Sequence, residues 1–166
     1  MHIIRKIEIT DAENFLELCK TLDKETKFMM LEPDERKTTI ESQTEYIKNV
    51  IDNELSLILV CEVEGKIVGY LTAIREGFKR MRHSAYIVTG ILNAYTGQGI
   101  GTKLFRELEN WAALRKIHRL ELTVMCHNDA GLSLYKKMGF EIEGLKKDSL
   151  IVDHEYVDEY YMAKLL

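Results

Sequence analysis

The chain of 166 residues has a single proline, Pro33, only three cysteines, and no apolar run long enough to cross a bilayer. Cys19, Cys61 and Cys126 are odd in number, far apart and set among apolar neighbours, which argues against a disulfide framework and against a zinc site. Cys126-His127 suggests a thiol–imidazole pair, but adjacent residues on a strand point to opposite faces, so Cys126 reads as a half-buried structural thiol. The net charge is −4 and no broad basic tract exists, which argues against nucleic acid as a partner and suits a cationic amine. Met1-His2-Ile3-Ile4-Arg5-Lys6 passes directly into an alternating pattern with no signal-peptide layout, so the expected location is cytoplasmic, with no membrane partner.

What is present is the patterning of one domain, 1–166, large enough to bury about 70% of its unfolded surface. Residues 2 to 8 alternate as a strand, and Thr10-Asp11-Ala12-Glu13 forms a capping box for a helix carrying Phe15, Leu16, Leu18, Cys19 and Leu22. A second helix from Thr38 to Asp52 places Ile40, Ile47, Val50 and Ile51 on one face. The loop between these helices is free to border a substrate. Leu55–Glu62 and Lys66–Ile74 read as a hairpin about Val63-Glu64-Gly65, and a third strand, Ser84–Leu92, follows an exposed tip at Lys79-Arg80-Met81-Arg82-His83.

Further on, Ile100, Leu104, Leu108, Trp111 and Ala112 stripe a helix that packs on a sheet, and Leu120, Leu122 and Val124 alternate as a strand beside the one ending near Leu92. Strand, helix and second parallel strand make a right-handed crossover with a ligand cleft at the strands' carboxyl ends. After another helix, Phe140–Leu145 and Glu155–Met162 close a mixed α/β layer fold. Tyr156, Tyr160 and Tyr161 on an exposed last strand offer an edge to a second copy, a homodimer.

The informative run is Tyr95-Thr96-Gly97-Gln98-Gly99-Ile100-Gly101-Thr102, which opens the striped helix. Three glycines at alternate positions let the backbone approach a ligand, and the free N–H groups of a helix start point at an anion such as a pyrophosphate. A Walker-type loop fails in register, because Lys103 follows Thr102 and is followed by Leu104. A dinucleotide fingerprint fails too, since its third glycine would fall on Thr102 or Leu104.

The run instead resembles the acetyl-CoA motif of the GNAT acetyltransferases, Arg/Gln-x-x-Gly-x-Gly/Ala, with Gly99 and Gly101 as its glycines and Thr96 at its first position. Thr96 removes a cationic or amide side chain and leaves the main-chain amides. Asn128-Asp129-Ala130-Gly131-Leu132-Ser133-Leu134-Tyr135-Lys136-Lys137-Met138-Gly139-Phe140 is similar to a second stretch of that family, with Gly131 where Ala is usual, at roughly 1 kcal/mol of helix propensity.

The resemblance implies a single GNAT-like domain of about seven strands and four helices, mostly antiparallel with a central parallel pair. It implies an N-acetyltransferase that moves acetyl from acetyl-CoA to a primary amine of a small molecule or peptide by direct attack in a ternary complex, without metal. Thr96, Gly97, Gln98, Gly99, Ile100, Gly101 and Thr102 would cradle the pyrophosphate, the backbone of Ile91 and Leu92 and the side chain of Asn128 the pantetheine, and Lys136 or Lys137 a phosphate. Tyr135 would be the general acid, its phenol near pKa 10 facing a thiol near 8.5. No base is assigned: Glu32, Glu35, Glu76, His83 and Tyr86 are candidates and a water relay is another. Two rival readings are a non-catalytic acyl-CoA-binding sensor or assembly module and an acyltransferase for a longer thioester.

Overall fold

Strand pairing, more than helix packing, positions the site. The computed structural model describes residues 1–166 as seven strands in one sheet, ordered β1-β2-β3-β4-β5-β7-β6, with four α-helices. The strands are β1 (Ile3–Lys6), β2 (Leu57–Val63), β3 (Lys66–Ile74), β4 (Ser84–Ile91), β5 (Arg119–Met125), β6 (Glu141–Val152) and β7 (Glu155–Leu165). The helices are α1 (Ala12–Glu25), α2 (Ile40–Asn53), α3 (Ile100–Leu114) and α4 (Asp129–Lys137). Only β4 and β5 run parallel; every other pair is antiparallel.

Local chemistry explains the elements. Glu64 and Gly65 take φ of 51° and 79°, the mirror-image turn that matches strand twist, so β2 and β3 form the expected hairpin. Thr39 caps α2 by accepting from the Ser42 N–H, and the Ser42 hydroxyl accepts from the Thr39 N–H in return. Of the face expected on α2, Ile47 and Val50 are buried, whereas Ile40 and Ile51 lie exposed because the helix meets the sheet along a narrower line. The box before α1 sits earlier than the sequence suggests: Glu8 and Asp11 form it, and Asp11 also takes two N–H groups of Arg5.

Two further differences matter. The strand expected to stop at Leu145 continues to Val152, through an irregular register between Lys146 and Leu150. The last strand is not an edge. β7 lies between β5 and β6, so Tyr160 and Tyr161 face along a paired strand, and the two edges of the sheet are β1 and β6. No helix is long and apolar enough to cross a membrane.

Candidate active site

The parallel pair is stitched at one end only. Ser84 pairs with Arg119, Ala85 with Leu120 and Tyr86 with Glu121, and beyond them Ile87–Ile91 run on without a partner on β5. The Leu92 N–H donates to Val68 O at 2.9 Å, which with the β3–β4 register turns even-numbered β4 residues toward β3. Thr89 and Ile91 therefore present N–H and C=O groups to the open slot. Leu92 does not: its N–H is engaged with Val68, and its carbonyl accepts from the Tyr95 N–H at 2.8 Å. Of the two residues expected to offer their main chain, Ile91 faces the slot and Leu92 does not, while Thr89 shares the Ile91 orientation, a parity that a single sequence does not reveal.

At the far end of β4 stands the glycine run. Gly97 and Gly99 have φ of 72° and 79° with open space where a side chain would be. Gly99 is the N-cap of α3, and Lys103 N–H makes the first helical bond, to Gly99 O at 3.1 Å. From Gly97 to Thr102, no main-chain N–H has an acceptor within the protein. A row of free amides at the positive end of a helix fits a diphosphate. Gly101 is glycine for another reason: a Cβ there would stand 2.7 Å from Leu134 Cδ2, so it sets how closely α3 meets α4.

Side chains add little to this cradle. Thr96 turns its hydroxyl back to Asn93 O at 2.9 Å. Gln98 bonds Ala94 O and the His2 ring, and Ile100 is buried in the core. Lys137 does reach the rim, where its ammonium donates to Thr102 Oγ1 at 3.2 Å. Asn128 caps α4, accepting from the Gly131 N–H at 3.0 Å, and its amide nitrogen stays free.

Tyr135 is 9% exposed, its ring packed 5.8 Å from Phe105 and 6.2 Å from Phe140. Burial pushes its phenol up to about 12. Yet the hydroxyl bonds nothing within the protein, and no fully buried side-chain polar atom lacks a partner, so this oxygen opens onto accessible space. A core tyrosine tied to a carbonyl would show the opposite.

The other face of the sheet is open. Tyr86 and Thr123 are joined across the slot by a 2.8 Å hydroxyl contact, and two grooves of about 370 and 340 Å³ meet at Tyr86 and Glu121. The segment from Thr26 to Leu31 lies over the carboxyl end of the slot: the Phe28 ring meets His127 at a tilt with centroids 5.1 Å apart, Lys27 pairs with Asp153 of the β6–β7 turn, and Met29 packs near Gly90. Arg36 grips the buried Asp23 through two hydrogen bonds of 2.7 and 3.0 Å, tying the far end of this segment to α1. Among the candidate bases, Glu35 accepts from the Glu32 N–H and both are exposed, while Glu76 lines the second groove.

Free amides at one end of a slot through a sheet suit a ligand that carries a diphosphate on a long arm able to lie between two strands. Comparison with known proteins gives the family. Residues 17–140 match the model of the acetyltransferase (GNAT) family, and the chain belongs to it. It is an acetyl-CoA-dependent N-acetyltransferase. It is similar to the L-amino acid N-acetyltransferase AaaT of Escherichia coli (strain K12), 36% identical over 111 residues, 64% of this chain and 67% of that one. An acetyltransferase of the GNAT family from Streptococcus pneumoniae superposes with a TM-score of 0.95 at 30% identity, covering 100% of this chain and 99% of the other. A ribosomal-protein-alanine N-acetyltransferase from Brucella melitensis superposes with a TM-score of 0.87 at 27% identity, covering 99% of each.

Proposed function

We propose that this enzyme acetylates the free amino group of an amino acid or a peptide, by direct attack of the amine in a ternary complex. Two similar proteins support that acceptor class, one an L-amino acid N-acetyltransferase and one a ribosomal-protein-alanine N-acetyltransferase. Acetyl-CoA supplies the activated acyl group when bound. The Gly97–Thr102 amides and Lys137 would hold its diphosphate, the Asn128 amide nitrogen and the Thr89 and Ile91 main chain would hold its pantetheine arm, and Tyr135 would serve the sulfur.

The observation that carries the reading is the Tyr135 hydroxyl, unpartnered at the end of a buried ring. With the phenol near 12 and a thiol near 8.5, complete proton transfer is uphill by roughly 5 kcal/mol. Tyr135 therefore acts as a hydrogen-bond donor to charge growing on the leaving sulfur, with the proton shed by the attacking nitrogen balancing the reaction. An unpaired Thr89 or Ile91 N–H stabilises the oxyanion in the same slot.

A thiol-release assay with L-amino acids, alanyl peptides and spermidine tests the proposal. Saturable release with an amino acid or peptide is expected, and release with spermidine alone would overturn the acceptor class.

A further inference from the structure

Three carboxylates are buried in this protein: Asp11, Asp23 and Glu159. Asp11 takes two hydrogen bonds from Arg5, and Asp23 takes two from Arg36. Glu159 is 7% exposed and has no cation. Its one partner is the Ser149 hydroxyl, which donates to Oε1. Lys146 lies across from it in register but is exposed and forms no ion pair with it. Desolvating a carboxylate without a countercharge is costly, so the fold holds this group against its own stability.

Its place explains the cost. Glu159 pairs with Met125, the last residue of β5, and direct cross-strand partners share a face. Tyr161 pairs with Thr123 on the same face, and Thr123 bonds Tyr86, so Glu159 lies one pleat beyond the Tyr86–Thr123 contact, about 7 Å toward the end where the slot is open. The irregular register of β6 delivers its partner: Asp148, at φ 50°, donates its N–H to Asp158 Oδ1 at 2.8 Å, and Ser149 is thereby turned onto Glu159. Glu159 Oε2 has no partner in the protein, and since no fully buried polar side-chain atom is unpartnered, it reaches accessible space.

We infer that Glu159 is the acceptor-binding carboxylate, and that the primary ammonium of the substrate supplies its missing countercharge on arrival and then releases one proton to solvent, so that the neutral amine attacks. The inference rests on the N-acetyltransferase reading and adds the residue that selects and orients the amine, on the face of the sheet opposite the Phe105–Tyr135 packing. Ser149 fixes one oxygen and leaves the other to the incoming ammonium. An acceptor carrying a hydroxyl in place of the amine leaves the carboxylate unpaired and is rejected.

The test uses Glu159→Gln and Glu159→Asp in the full chain, with L-leucine, L-alaninamide and spermidine as probes. Calorimetry measures binding of acetyl-CoA to the free protein and of each amine to the CoA-loaded protein, and thiol release gives kcat and KM. For an amine that the parent binds, Glu159→Gln is expected to raise KM about 30-fold, the size of a lost charge-assisted hydrogen bond, with acetyl-CoA affinity within twofold of the parent and partial recovery in Glu159→Asp. The melting temperature of Glu159→Gln is expected to equal or exceed that of the parent, since a neutral amide relieves the buried charge. An unchanged amine KM, an equal weakening of acetyl-CoA and amine, or no binding of any of the three amines to the CoA-loaded parent would overturn the inference. Failure of acetyl-CoA itself to bind would instead strike the cofactor cradle, so the two readings fail separately.

Discussion

Asn128 and Gly131 are fitted to each other: Asn128 Oδ1 accepts from the Gly131 N–H at 3.0 Å, and a Cβ on Gly131 would stand 2.7 Å from Asn128 Nδ2. The glycine inside α4 is thus the space the cap's own amide occupies. The oxygen caps the start of the helix and the nitrogen has no partner within the protein.

This division makes Asn128→Asp informative. Asp caps as well as Asn and favours the positive end of α4, so stability is expected to stay within about 0.5 kcal/mol. The donor is lost, and acetyl-CoA affinity is expected to fall about tenfold. Chemical denaturation alongside calorimetry separates the two effects. Asn128→Ala is expected to lose both, with about 1 kcal/mol of stability.

Tyr135→Phe keeps the ring packed on Phe105 and Phe140 and removes a hydroxyl that bonds nothing inside the protein. Melting temperature and acetyl-CoA affinity are expected to hold, and kcat to fall about 100-fold. In the parent, kcat/KM is expected to rise with pH as the amine sheds its proton and then level off. With the phenol pushed up to about 12, no falling limb assignable to Tyr135 appears below pH 10. A steady-state pH profile reads this directly.

The left-handed backbone at Gly99 has a similar test. Gly99→Ala imposes roughly 1 kcal/mol of local strain at the start of α3 and shifts the row of free amides, so acetyl-CoA binding is expected to weaken about tenfold. Gly77→Ala, where a Cβ meets nothing within 4 Å, is the matched control and is expected to bind acetyl-CoA like the parent.

Asp23→Ala strands the half-buried Arg36 and is expected to cost about 3 kcal/mol in a denaturation experiment. Because this pair ties the segment over the slot to α1, the acceptor KM is expected to rise more than that of acetyl-CoA. Arg36→Lys is expected to restore little, since one ammonium replaces a two-pronged contact.

Acid stability tracks Asp11. Hydrogen bonds from Arg5 hold its carboxyl below the usual carboxylate range, and the Glu8 N–H assists. Below the ordinary value near 3.9 the unfolded chain takes the proton first, so this stabilisation is complete above that pH and is lost as pH falls through the lower, folded value. Urea midpoints are expected to drop from pH 5 to pH 2, and Asp11→Asn is expected to flatten that dependence while lowering stability at pH 7.

Those features lie at different depths of legibility. The glycine run, the α3 stripe and the β2–β3 turn are local, written in residue types whose dihedral and burial preferences act within one element. Tyr135 and Asn128 are marked in the sequence by the resemblance of their stretch to the GNAT family, and a separation of seven residues adds only that the two share a face. Thr89, by contrast, depends on which neighbour β4 bonds, and Glu159 on a bulge in β6 and on β7 inserting between β5 and β6. Both are products of long-range register. The one local hint of Glu159 is a carboxylate standing at the alternate position between Val157 and Tyr161, where a strand packed on both sides calls for an apolar residue.

Three residue pairs are all that ladder the two parts of the sheet together, from Ser84–Arg119 to Tyr86–Glu121. The protein is, mechanically, two plates joined by a short hinge, with rivets set in side chains in place of a backbone seam. Phe105, Tyr135 and Phe140 are the rivet on one face, each ring within 6.2 Å of the others, and the proposed hydrogen-bond donor to the leaving sulfur is one of the three. Rigidity of the joint and placement of the Tyr135 hydroxyl are therefore the same property, and any change that loosens this trio is expected to let the gap breathe and turn the phenol at once.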